Sequence, residues 1–259
     1  MRRFVKSFRF TNFQTPPKSC LTQAQHDLGV IIKSLNMTDK IKLVTSKLSP
    51  YGHRVEMVLI EKNIAYEKEE ISLAAKPDWF VNDSPLEKVP LLYVGDKPLF
   101  ESIAICEYLE DAFPENPLHP KDALEKAWHR AWMEVSTGIL SSTFGMVFSQ
   151  NQQEFDLKKI EIVSRIATLD KYLKFSPYFD GDKFSLVDAC MSSAFKPLTF
   201  IDNKFTLEIF DLHKNAATYV ESVVARGSLS KALPSDYEEV FKALIKRKKS
   251  HLLTMSFSL

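Results

Sequence analysis

Residues 88–110 read K-V-P-L-L-Y-V-G-D-K-P-L-F-E-S-I-A-I-C-E-Y-L-E, and this stretch decides the fold. Leu91 to Val94 is a short apolar run with strand character, and Gly95-Asp96-Lys97-Pro98 is turn chemistry. Leu99 and Phe100 return as a second strand, so the first half is a hairpin. From Glu101 onward Ile103, Cys106 and Leu109 recur at three-residue steps, with Ala104, Ile105 and Tyr108 between them, which predicts a largely buried helix. Ser102 in its first turn is a favoured capping residue. A helix N-terminus presents free N–H groups and the positive end of the dipole, which suits a carboxylate. Glu101 beside it suits an ammonium group, so one corner offers partners to both charges of an α-amino acid.

Upstream, Ile41 to Thr45 reads as a strand. Ser49-Pro50 opens a helix, with serine as cap and proline at its first position. Ala65 to Ser72 reads as a second strand with a charged middle, toward an edge, and Lys76 to Phe80 opens a short helix. The order β-α-β-α-β-β-α implies a mixed sheet with helices on both faces.

Beyond the proline-rich segment Pro114–Pro120 the chain reads as helix after helix, up to a tail after Ser250 that shows no pattern. Leu124, Ala127, Trp128, Ala131, Trp132 and Val135 give one amphipathic face, and 157–173 gives another. Ser185-Leu186-Val187-Asp188 is a capping box before an apolar helix, and 219–224 and 237–245 are the last helical patterns. The expected division is an extension over 1–38, an α/β domain over 39–115 and an all-α domain over 121–250. The extension has no acidic residue before Asp27 and carries Arg2, Arg3, Lys6, Arg9 and Lys18. It reads as a disordered or over-long start, with an organellar presequence as the other reading.

Composition bounds the function. The 259 residues carry 26% charged side chains but a net charge of only +1, so no field attracts nucleic acid or an anionic membrane. No apolar run reaches the 18 or so residues of a membrane span. Three widely spaced cysteines, Cys20, Cys106 and Cys190, are no disulfide framework and point to a reducing, cytoplasmic setting, or an organellar one if the presequence is real. The six histidines show no ligand spacing, so no metal is expected. Of these, His53 is expected to be exposed.

V-P-L-L, the hairpin and E-S-I-A-I-C-E-Y-L together resemble the glutathione-binding half of the cytosolic glutathione transferases. The resemblance is strongest to the Omega class, from Ser49 to about Asp122. It implies a thioredoxin-like N-terminal domain followed by an all-α C-terminal domain, acting as a homodimer in detoxification. It further implies a cis Val89–Pro90 bond, with the Val89 main chain pairing with the cysteinyl part of glutathione. Glu101 and Ser102 would hold the γ-glutamyl end, while Lys76 and Lys88 would reach the tripeptide.

Ser49 stands where this class usually has cysteine. A serine there caps a helix, and in the related Tau enzymes it faces the glutathione sulfur. A hydroxyl donating to a thiolate, helped by the helix dipole, lowers a thiol pKa from its ordinary value of about 8.5. The leading expectation is therefore conjugation of glutathione to a small electrophile, with Ser49 as the activating donor and glutathione as substrate. A glutathione-dependent reductase or lyase acting on a disulfide, dehydroascorbate, quinone or aryl ether is an alternative. So is a non-catalytic interaction protein of the starvation-protein type. Tyr51, Trp128 and Trp132, with Phe144 and Phe148, are the candidate walls of an electrophile pocket.

Overall fold

A computed structural model describes residues 40–173 and 177–255. The expectation for residues 1–38 lies outside them. The first half is a four-stranded sheet: β1 (Ile41–Thr45), β2 (Glu67–Glu70), β3 (Leu91–Val94) and β4 (Lys97–Phe100). Their spatial order is β2-β1-β3-β4, with β1 parallel to β2 and antiparallel to β3, and β4 antiparallel to β3. The parallel pair requires a crossover, supplied by α1 (Pro50–Glu61). Strand β2, at an edge, reads Glu-Lys-Glu-Glu and is mostly exposed, a charged rim that discourages pairing with another chain. Helices α2 (Asp78–Asp83) and α3 (Ser102–Ala112) complete this half.

The second half is helical: α4 (Ala123–Phe148), α5 (Gln152–Tyr172), α6 (Leu186–Phe205), α7 (Lys214–Val224), α8 (Gly227–Ala232) and α9 (Tyr237–Arg247). A 3-10 turn, His251–Thr254, follows. Helix α8 escapes a periodicity reading because six residues are too few to show one. Helix α6 is the axis of this half, with fifteen of its twenty residues buried, as befits a central helix. Its expected capping box forms, and Asp188 does more than cap. Its buried carboxylate accepts from Ser185 N (2.8 Å), Phe179 N (2.8 Å), Ser185 Oγ (2.6 Å) and Tyr219 Oη (2.8 Å).

Both halves share one core. Val55, Val58 and Leu59 of α1 join Met133 of α4 and Cys190 and Ala194 of α6 in a continuous buried cluster. A buried ion pair, Lys62 Nζ to Glu110 Oε2 at 2.8 Å, ties the end of α1 to α3. The other oxygen of Glu110 accepts from Leu118 N and His119 N, anchoring the segment that leads to the second half. No helix among the described residues is long and apolar enough to cross a membrane.

Candidate active site

Ser49 is the N-cap of α1 and is 7% exposed. Its Oγ accepts from Gly52 N at 3.1 Å. A hydroxyl has one proton to give, and no described group accepts that of Ser49. The turn is possible because residue 52 is glycine: a Cβ there would lie 1.8 Å from Thr45 Oγ1 of β1. The close packing of α1 on β1 thus places Ser49 at the C-terminal end of the central strand.

Two cavities open around this point. The smaller, about 300 Å³, is bounded by Tyr51, Lys88, Val89, Glu101, Ser102 and Thr137. The larger, about 1140 Å³, begins at Ser49 and runs past Phe144 and Phe148 of α4 to Val240 and Leu244 of α9. They share Tyr51, Lys88 and Val89, so they adjoin. The Val89–Pro90 peptide bond is cis. The Val89 N–H and C=O make no hydrogen bond to any described residue, and Val89 borders both spaces.

Glu101, rather than Ser102, is the N-cap of α3, and its side chain caps nothing. Its φ of 66° with ψ of 111° is a sparsely populated conformation for a residue with a Cβ, costing about 1–3 kcal/mol. That backbone turns the free α3 N-terminus and the Glu101 side chain into the smaller cavity. Ser102 is the first helical residue and is buried; its Oγ accepts from Arg54 Nη1 at 3.3 Å.

Arg54 is the site residue that sequence reasoning missed. Its side chain is 0% exposed. Nη1 also donates to Thr137 Oγ1 and Nη2 to Ser136 Oγ, each at 3.4 Å, and Nε has no partner. No carboxylate among the described residues pairs with it. A guanidinium buried on three hydroxyls and over the Tyr51 ring, 5.6 Å from its centroid, is held at high desolvation cost. Two of its partners, Ser102 and Thr137, line the smaller cavity, so its field reaches an anion there. The available signal was an arginine five residues into a helix whose other positions are core-facing.

The remaining expected residues divide. Lys88 lines both cavities without a carboxylate partner among the described residues, whereas Lys76 lines the larger one already paired to Glu87 Oε2 at 3.0 Å. Trp128 and Trp132 line neither. They pack with Tyr172, and Trp132 also with Phe179, at centroid distances of 5.3–5.9 Å. Phe144 lies sixteen residues beyond Trp128, roughly 160° around an α-helix, so the tryptophan pair and the phenylalanine pair face different ways. His53, expected to be exposed, is 3% exposed against Tyr237. Burial lowers its pKa to about 4, only partly opposed by its bond to the Lys47 carbonyl, so it is neutral and no acid–base group at pH 7. Cys106 and Cys190 are fully buried, and burial raises both thiols. No group of three or more His, Cys, Asp or Glu among the described residues could hold a metal.

A mixed four-stranded sheet with a cis-proline beside a helix N-cap, leading into an all-helical half, defines a thioredoxin-like domain joined to a transferase-type helical domain. The sequence profile of the glutathione S-transferase N-terminal domain matches residues 43–117. A probable glutathione S-transferase of Nicotiana tabacum is 31% identical over 150 residues, 58% of this chain and 67% of that one. The Rattus norvegicus glutathione S-transferase omega-2 is 31% identical over 153 residues, 57% of this chain and 61% of that one. A crystal structure of the Tau class enzyme from mango, Mangifera indica, superposes with a TM-score of 0.70 at 21% identity, over 81% of this chain and 97% of that one. The chain belongs to the glutathione S-transferase family of enzymes.

Proposed function

We propose that this protein conjugates glutathione to a small electrophile and that Ser49 activates the thiol. The observation carrying this reading is the Ser49 hydroxyl: capped onto Gly52 N, its proton uncommitted, on the wall of the larger cavity, which meets the smaller one at Tyr51, Lys88 and Val89. A thiolate seated between Ser49 and the Val89 main chain would accept that proton while the α1 dipole favours its charge. The γ-glutamyl carboxylate would lie at the α3 N-terminus and Ser102 with Arg54 behind, and its ammonium at Glu101. Lys88 is the better candidate than Lys76 for the glycyl carboxylate, because Lys76 is already engaged. The nucleophile belongs to the substrate, and its thiol proton would pass to solvent once the pKa has fallen, so the protein supplies a donor rather than a general base.

Conjugation is favoured over thiol exchange because Cys106 and Cys190, the cysteines among the described residues, are buried and line neither cavity. Glutathione binding by calorimetry tests the reading. Glu101→Ala should weaken it by about 1.5–3 kcal/mol, the worth of a hydrogen bond to a charged group. An unchanged affinity would place the γ-glutamyl end elsewhere. A homodimer in the cytoplasm, with α3 meeting α4 of the partner, is proposed on family grounds. Light scattering of a monomer at micromolar concentration would remove that part.

A further inference from the structure

We infer that the electrophile is an amphipathic organic anion, a ring or short chain carrying a carboxylate or sulfonate at its far end. This deepens the reading above, for it concerns the part of the larger cavity that glutathione would leave open. The walls there are apolar: Phe144 and Phe148 of α4 face Val240 and Leu244 of α9. The rim is not. Beyond Ser49 the cavity is lined by Lys47, Lys76, Lys88, Arg247 and Lys248, against two carboxylates, Glu70 and Glu87. Glu87 is already paired with Lys76 at 3.0 Å, and Glu70 lies 3.3 Å from Lys68, a cation it shares with Glu56 at 2.9 Å. Lys47 is in turn bonded to Asp236 at 2.9 Å.

What remains uncompensated is Lys88 on the glutathione side, and Arg247 and Lys248 on the opposite side at the end of α9. Neither of the latter has a carboxylate partner among the described residues. Lys248 Nζ lies 5.1 Å over the Phe148 ring, so a cation and an apolar wall form one surface. An apolar space closed at its far end by two free cations discriminates by charge as well as by size. A neutral ring fills the walls and leaves the cations idle. An anionic one satisfies both, and the field of the rim raises its local concentration.

Two dyes that differ only in a sulfonate test this on the full chain without glutathione: 8-anilinonaphthalene-1-sulfonate and N-phenyl-1-naphthylamine. Fluorescence titration of the wild type should show tighter binding of the sulfonate, weakening with added salt. S-hexylglutathione should displace it. In the exposed double variant Arg247→Gln/Lys248→Gln the sulfonate should lose about five- to tenfold in affinity, as two exposed ion pairs are worth. The neutral dye should bind as before. Equal affinity for the two dyes, equal losses in the variant, or a sulfonate dye that S-hexylglutathione leaves in place would each overturn the inference. Calorimetry with glutathione alone reports separately on the underlying reading: no heat there refutes glutathione binding, whatever the dyes do.

Discussion

Replacing Arg54 with methionine should make the protein no less stable yet a poorer binder of glutathione. The guanidinium is fully buried and held by three long bonds of 3.3–3.4 Å to hydroxyls, with Nε unpaired. These contacts do not offset the desolvation of a cation that has no counter-charge. Replacing buried charges with apolar side chains of similar volume is commonly neutral or stabilising, by about 1–4 kcal/mol. The hydroxyls left behind keep partners: Ser136 Oγ and Thr137 Oγ1 both donate to the Met133 carbonyl, and Ser102 faces the cavity. Thermal unfolding of Arg54→Met without ligand should therefore match wild type or rise, at about 2–4 °C per kcal/mol for a protein of this size. Glutathione affinity should fall by about 1.5–3 kcal/mol, roughly ten- to a hundredfold, because a γ-glutamyl carboxylate bound at Ser102 would lose the buried cation behind it. Arg54→Lys should retain part of the binding. A destabilised Arg54→Met that binds glutathione normally would show that the arginine is a structural strut, and this reasoning would fail.

Asp188→Asn should cost about 3 kcal/mol in urea unfolding, because an amide faces four donors that now bond one carboxylate; a change under 1 kcal/mol would contradict it. Gly52→Ala must push α1 off Thr45 and should lower both stability, by about 1–3 kcal/mol, and turnover. Thr45→Ala should partly rescue it, and a fully stable single variant would refute the close approach. Burial raises the Glu107 pKa, but hydrogen bonds from His119 and Arg130 outweigh it and bring the group down to about 2. The stability from this depressed carboxylate is present above about pH 4.5 and lost as pH falls toward 2. Glu107→Gln should flatten the stability–pH curve in that window, and an unchanged slope would place the acid sensitivity elsewhere.

Much of this was legible because local chemistry and global fold agree. The Lys88–Glu110 stretch carries its turn, its hairpin alternation and its helix in one run, and Ser185–Asp188 is a cap in sequence and in space. Tyr51, Lys88, Val89, Glu101 and Ser102 do come together around one cavity. Other features depend on tertiary position, which one-dimensional pattern does not carry. Trp128–Trp132 and Phe144–Phe148 are equivalent pairs at helical spacing; only the number of turns between them sets which pair faces α9. His53 and Arg54 are polar residues near a helix start, where solvent is the default, yet packing of α1 between the sheet and α6 buries both. Glu101 as N-cap, in place of Ser102, reflects a backbone conformation against the residue's own preference, and such departures concentrate at functional sites.

The most direct test of the central claim is the thiol pKa of bound glutathione, followed by ultraviolet thiolate absorbance, in wild type and Ser49→Ala. An unassisted thiol titrates near about 8.5. If the Ser49 hydroxyl donates a hydrogen bond to the thiolate, the wild-type complex should titrate below neutrality. Ser49→Ala should then raise that value by about one to two units, the worth of one well-placed donor to an anion, with glutathione affinity changing far less. Coincident titration curves for the two proteins would reduce Ser49 to a helix cap and contradict the mechanism.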